Sequence, residues 1–253
     1  MTESTPASLV FVHAFPLNGA MWRRQVAALA EGRRVLAPDL RGFGANAGDA
    51  PASLDAHADD LAALLDRERI ERAVLVGLSM GGYVAFAMLR RHRARIAGLV
   101  LADTRPQADS DEARAAREAN ARLVESQGIA ALVEKLLPGL LSPNAPEAVR
   151  EEVRWIAAAN RPAGVAAALR AMAARPDSTD LLPTIGVPTL VVAGAEDSLT
   201  PPDVARAMAT AIPGAGYVEI AGAGHLSNLE QPEAFTAALR AFLEGPAAHR
   251  IPG

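Results

Sequence analysis

Six short apolar runs punctuate the chain, at 9–12, 35–37, 73–77, 96–102, 189–193 and 217–220. Most are continuously apolar rather than alternating, and turn residues bound them. That is the pattern of strands buried on both faces. Helical patterns lie between most of them, at 21–30, 55–69 and 82–91. In the second of these Leu61, Leu64 and Leu65 share one face. Strand alternating with helix predicts an α/β fold, a mostly parallel sheet with helices on both faces.

One interval breaks the rhythm. From about Arg105 to Asp180 the pattern is helical throughout, with segments at 111–127, 129–136, 146–160 and 162–174 and no strand. So long a plain loop would be improbable, so an all-helical cap over 105–180 is expected, inserted into a core made of 1–104 and 181–253. The α/β rhythm resumes at Val187-Pro188. Thr200-Pro201-Pro202-Asp203 reads as a helix start with Thr200 as N-cap. Pro232 opens a last helix ending near Leu243, and 245–253 reads as a loose tail.

The 253 residues are half hydrophobic and 21% charged, a globular composition. A formal charge of −4 argues against a nucleic-acid partner. The absence of cysteine excludes disulfides, thiolate metal sites and a cysteine nucleophile. The start of the chain lacks the basic and apolar segments of a secretory signal, and no apolar stretch is long enough to span a membrane, so a cytoplasmic protein is expected. No histidines and carboxylates stand at metal-ligand spacing with a third partner, and no cofactor is expected.

The chemistry concentrates in Gly77-Leu78-Ser79-Met80-Gly81-Gly82, between a predicted strand and a predicted helix. As a bare pattern, G-x-S-x-G turns up by chance in roughly one chain in ten of this length. Its strand-turn-helix context makes it informative: a serine on so tight a turn is lifted above the sheet edge, and its neighbours must be small. A serine hydroxyl is a poor nucleophile without a base and a group to orient that base. Of five histidines, His92 and His57 read as surface residues, His249 lies in the tail, and His13 reads as a buried brace of its loop. His225 follows the last strand in a glycine-rich loop and is the base candidate. Asp197, after the strand at 189–193, is the favoured acid, with Asp103 its rival and Glu196 a weaker one. Two backbone amides should face the developing oxyanion. Met80 can supply one and Phe15, held extended by Pro16, the other. Phe15 and, from the cap, Trp155 are expected to contact substrate. Met172 and Leu140 are further wall candidates, and Arg105 reads as a solvated arginine rather than a carboxylate ligand.

The runs His13-Ala14-Phe15-Pro16-Leu17-Asn18, Asp39-Leu40-Arg41-Gly42-Phe43-Gly44, Gly77 to Gly82, Pro188 to Asp197 and Gly224 to Pro232 together resemble the α/β-hydrolases, in the branch that includes 3-oxoadipate enol-lactonases and small carboxylesterases. The resemblance covers nearly the whole chain. It implies nucleophile, acid and base at Ser79, Asp197 and His225, and oxyanion amides at Phe15 and Met80. Ala14 stands where family members usually carry glycine. The implied activity is hydrolysis of a small-molecule ester or lactone. The alternatives are a perhydrolase or C–C bond hydrolase using the same three residues and, less favoured, a non-catalytic ligand binder on the same fold.

Overall fold

The computed structural model describes residues 6–46 and 48–245. The predicted tail beyond Gly245, with His249, lies outside the described residues. The elements in order are β1 (Ser8–Val12), α1 (Arg23–Leu29), β2 (Val35–Leu36), α2 (Leu54–Arg67), β3 (Ala73–Leu78), α3 (Met80–Arg91), β4 (Ile96–Ala102), α4 (Asp111–Leu140), α5 (Glu147–Ala158), α6 (Pro162–Ala173), β5 (Thr189–Gly194), α7 (Pro202–Ala211), β6 (Gly216–Ile220), α8 (Ser227–Glu230) and α9 (Pro232–Glu244). Short 3₁₀ turns at Gly19–Trp22, Arg93–Arg95 and Thr179–Thr184 complete the path.

All six expected strands form, and they join one sheet in the order β2-β1-β3-β4-β5-β6. Every strand pairing in this sheet is parallel. β3 and β4 are buried along their whole length, as their unbroken apolar runs require. β6, at the edge, is only partly buried. The chain steps outward from β1 to β2 and then crosses back to β3. The reversal leaves a crevice beyond the carboxyl ends of β1 and β3, where α/β folds place their ligands. Val12 of β1 is registered on Gly77 of β3, so the loop after β1 and the turn after β3 leave the sheet side by side.

The helical interval between β4 and β5 is α4, α5 and α6. α4 is broken at Gly128 (φ 83°, ψ 177°), which separates the two helical segments expected there. The insertion is fastened to the rest of the chain by close backbone approach and by buried amides. A Cβ on Gly164 of α6 would lie 1.9 Å from the Gly42 carbonyl oxygen, so only glycine permits that contact. Asn160, at the end of α5, donates through Nδ2 to the Pro16 carbonyl at 2.7 Å, and its Oδ1 accepts from the Gly44 amide at 2.8 Å. Asn18 donates to the Ile156 carbonyl at 3.0 Å.

His57 corrects the sequence reading. It is 1% exposed, not a surface residue, because it falls on the face of α2 that also buries Leu54, Ala58, Leu61 and Leu65. No described helix is long and apolar enough to cross a membrane.

Candidate active site

Ser79 is the residue between β3 and α3, and its backbone is in the left-handed half of conformational space (φ 55°, ψ −113°). Such a non-glycine conformation costs on the order of 1–3 kcal/mol and must be held by its surroundings. Here the Ser79 amide donates to Ala102 O at 2.9 Å, and its carbonyl accepts from Gly82 N and Thr104 Oγ1, both at 2.9 Å. The neighbouring glycines are needed for space. A Cβ on Gly77 would meet the Gly81 carbonyl at 2.4 Å, one on Gly81 the Val12 carbonyl at 2.1 Å, and one on Gly82 Thr104 Oγ1 at 2.4 Å. The turn therefore lies tight against β1 and the end of β4, with the hydroxyl raised over the sheet.

His225 reaches it from the loop after β6. Its Nε2 lies 2.7 Å from Ser79 Oγ, and its Nδ1 lies 2.8 Å from Asp197 Oδ2. An ionised carboxylate only accepts, so Nδ1 carries the proton and the Nε2 lone pair faces the serine hydroxyl. Asp197 is fixed by the loop after β5. Oδ1 accepts from the amides of Leu199 at 2.8 Å and Thr200 at 3.0 Å, and Oδ2 accepts from Thr200 Oγ1 at 2.5 Å. Thr200 is thus not the helix cap expected from the sequence. Pro201 precedes α7, and the threonine hydroxyl turns back to the carboxylate instead.

The His225 loop is stitched down by Glu230, whose carboxylate accepts from the amides of Gly224 at 2.8 Å and Ser142 at 2.9 Å. The rivals for the acid are resolved by geometry. Glu196 is exposed. Asp103, which also has a left-handed backbone (φ 45°), is buried and bonded to the Gly194 amide at 2.7 Å and Ser227 Oγ at 2.5 Å, not to the imidazole. It ties the end of β5 to Ser227, two residues beyond His225. Burial first, and then the charge of Asp197, raise its carboxyl to about 7.

Burial alone would push the other two groups toward their neutral forms. Their mutual attraction and hydrogen bond outweigh it, so the Asp197 carboxyl is lowered and the His225 imidazole is raised from their ordinary values. His13, by contrast, is fully buried, and burial lowers it to about 4. Its Nε2 accepts from the Leu40 amide at 3.1 Å and its Nδ1 donates to Ala14 O at 3.1 Å, so it braces the loop as a neutral ring.

Ala14 adopts no positive φ, so the change from glycine leaves that loop unstrained. Its amide lies 3.2 Å from Met21 Sδ. The Phe15 amide has no backbone acceptor among the described residues, and Met80 heads α3, where an amide has no intrahelical acceptor. Phe15 also lines the cavity over Ser79.

That cavity holds about 240 Å³. Leu136, Leu140, Leu169, Met172 and Leu199 give it apolar lining, and Tyr83, Arg105, Arg117 and Asn120 also line it. Leu140 and Met172 are where the sequence suggested. Trp155 is not, and its expected substrate contact is corrected. It is 56% exposed, lies beneath the Arg23 guanidinium (4.6 Å) and borders a separate open groove. α5 turns Val153, Ile156 and Ala157 inward, which leaves residue 155 on the outer face.

Comparison with known proteins agrees with this architecture. Residues 7–232 match the family model described as alpha/beta hydrolase fold. The solved esterase from Thermogutta terrifontis, with malate bound, superposes with a TM-score of 0.91 at 45% identity, covering 95% of this chain and 90% of that one. The enol-lactonase from Burkholderia xenovorans gives 0.85 at 34% identity, over 94% and 92%. 3-Oxoadipate enol-lactonase 2 of Acinetobacter baylyi is 30% identical over 94% of this chain and 88% of its own length. A parallel sheet with a serine on the strained turn after its third strand, matched along nearly its full length to hydrolases, makes this chain a member of the alpha/beta hydrolase family.

Proposed function

We propose that this chain is a serine hydrolase of small carboxylic esters or lactones that works through an acyl-enzyme on Ser79. The observation that carries the reading is the unbroken relay from Asp197 Oδ2 to His225 Nδ1 at 2.8 Å and from His225 Nε2 to Ser79 Oγ at 2.7 Å. Ser79 Oγ attacks the carbonyl carbon while Nε2 takes its proton. Asp197 stabilises the imidazolium and holds its tautomer. The amides of Phe15 and Met80 stabilise the oxyanion. The tetrahedral intermediate collapses, the leaving oxygen takes the proton from His225, and Ser79 is left acylated. Water, giving its proton to His225, then releases the acid. We read 105–180 as a cap that closes the cavity over the core of 1–104 and 181–253. A cavity near 240 Å³ lies below the usual range for drug-sized ligands and favours short acyl chains. Relatives named as an esterase and as enol-lactonases support the ester and lactone classes.

A fluorophosphonate probe is expected to add one adduct, located at Ser79 by peptide mass mapping. Ser79→Ala is expected to lose both the adduct and hydrolysis of 4-nitrophenyl acetate. A folded wild-type protein that takes no adduct and hydrolyses no ester would overturn the reading.

A further inference from the structure

On the proposed mechanism the base and the oxyanion amides must face one carbonyl at the same time, yet they hang from strands that do not touch. β1 leads into the loop with Phe15 and β6 into the loop with His225, and β3, β4 and β5 stand between them in the sheet. A buried bridge outside the cavity joins the two loops. Asn228, in α8 and three residues beyond His225, donates through Nδ2 to the Met21 carbonyl at 3.0 Å. Its own carbonyl accepts from Gln25 Nε2 of α1 at 3.1 Å. Met21 lies in the 3₁₀ turn Gly19–Trp22, and its Sδ accepts from the Ala14 amide, one residue before Phe15, at 3.2 Å. Ala14, Met21, Gln25 and Asn228 are each at most 1% exposed, and none of them lines the cavity over Ser79.

The bridge ends beside the peptide that carries the amide proposed for the oxyanion. A peptide unit is planar, so the Phe15 N–H points opposite to the Ala14 carbonyl. That carbonyl accepts from Leu17 N at 2.9 Å and from His13 Nδ1 at 3.1 Å, which fixes the oxygen edge of the plane. The preceding unit, which holds the Ala14 N–H, is joined to it through the two Ala14 dihedrals, and Met21 takes hold of that unit. A thioether is a weak acceptor, but the Ala14 amide is fully buried, and a buried N–H left without a partner is expensive. Losing the sulfur would drive the unit to rotate toward another acceptor and would carry the Phe15 N–H off line.

Resting on the reading of Ser79 as the acylated nucleophile and Phe15 as an oxyanion donor, we propose that Met21 and Asn228 are positioning residues for the reaction. Asn228 holds the Met21 backbone and the Met21 sulfur holds the Ala14 amide, so the base loop and the oxyanion loop keep their spacing as one unit. Neither side chain touches substrate. Their effect is felt when negative charge develops on the carbonyl oxygen, because a slightly displaced donor still admits the ester but no longer meets the oxyanion.

The test removes the acceptor and the donor at similar bulk, with Met21→Leu, Asn228→Leu and the two combined. Folding is checked by thermal denaturation, and assays run well below each Tm. With 4-nitrophenyl acetate, each single variant is expected to lose about tenfold or more in kcat, with KM within about threefold of wild type. The inhibition constant of a trifluoromethyl ketone, which adds to Ser79 as a tetrahedral oxyanion, should rise by the factor by which kcat/KM falls. The double variant should be about as active as the weaker single one, since one bridge is broken either way. Unchanged kcat and inhibition constant, whatever the Tm, would make the two residues merely structural, and losses that multiply in the double variant would make them independent. Either result overturns the proposal and leaves the hydrolase reading standing. If Asn228→Leu does not fold, Met21→Leu decides alone on kcat and the inhibition constant. If the wild type takes no fluorophosphonate and hydrolyses no ester, the hydrolase reading itself fails and the bridge's role falls with it.

Discussion

The two carboxylates near His225 do different things because their surroundings differ. Asp197 accepts four donors and stays ionised, while Asp103 accepts only two and is driven upward by burial. Negative charge on either favours the imidazolium, so His225 titrates above the ordinary histidine value of 6.5. A general base must be neutral, so the acid limb of kcat/KM for any ester turned over is expected above pH 6.5 and activity falls as pH drops through it. Asp103→Asn removes one of the two charges and should move that limb to lower pH, with the plateau retained within about tenfold. A limb that stays in place would mean Asp103 acts only as a clamp. The residues that line up here were legible in the sequence because each lies in the turn or loop that follows a strand. Trp155 and His57 were misplaced for a common reason. Side-chain type was weighed above helical phase, and phase decided both: residue 155 is off the inward stripe of α5, and residue 57 is on that of α2.

At the scale of the element, two glycines in the helical insertion separate backbone strain from crowding. Gly128 breaks α4 at φ 83°, but nothing lies within 4 Å of a Cβ built there. Gly128→Ala is expected to cost about 1–3 kcal/mol through its backbone alone, a fall of several degrees in Tm, with kinetics unchanged. Gly164 has an ordinary helical backbone, but its added methyl would sit 1.9 Å from a carbonyl oxygen of Gly42. Gly164→Ala must push α6 off the core. It should raise KM as well as lower Tm, since Leu169 and Met172 on α6 wall the cavity. Equal effects of the two substitutions on KM would refute the distinction. The break at 128 was legible as a gap between two helical periods. The contact at 164 was not, because its partner is far away in sequence. The Thr200 reading failed similarly: a threonine before Pro-Pro satisfies local capping rules, and a tertiary partner, Asp197, took the hydroxyl instead.

For the molecule as a whole, the sequence named the strands but not their neighbours. Nothing local says that β1 lies beside β3, and it is that adjacency which brings Phe15 to Ser79. Burial also stores a pH dependence away from the site. His13 and His57 are both enclosed and both lowered to about 4, chiefly by desolvation. The unfolded chain binds these protons first as pH falls from about 6.5, so the stability contributed by the neutral rings is present above that pH and is lost on the way to 4. The loss per histidine should reach roughly 2 kcal/mol by pH 5. Urea unfolding at pH 7.5 and pH 5 should therefore show a smaller acid-induced drop for His57→Met than for the wild type, by about that amount. Identical drops would show that His57 titrates like an exposed histidine.

The amide of Asn160 ties these scales together. It lies in the connection between α5 and α6 of the insertion, yet it holds the Pro16 carbonyl, one residue from the amide proposed for the oxyanion. On the proposed reading of 105–180 as a cap over the Ser79 cavity, substrate choice and turnover share a hinge pin. Swapping 105–180 for the corresponding stretch of a relative would alter turnover along with choice of substrate unless the graft carried an equivalent carboxamide, and natural divergence of the insertion is bound by the same tether.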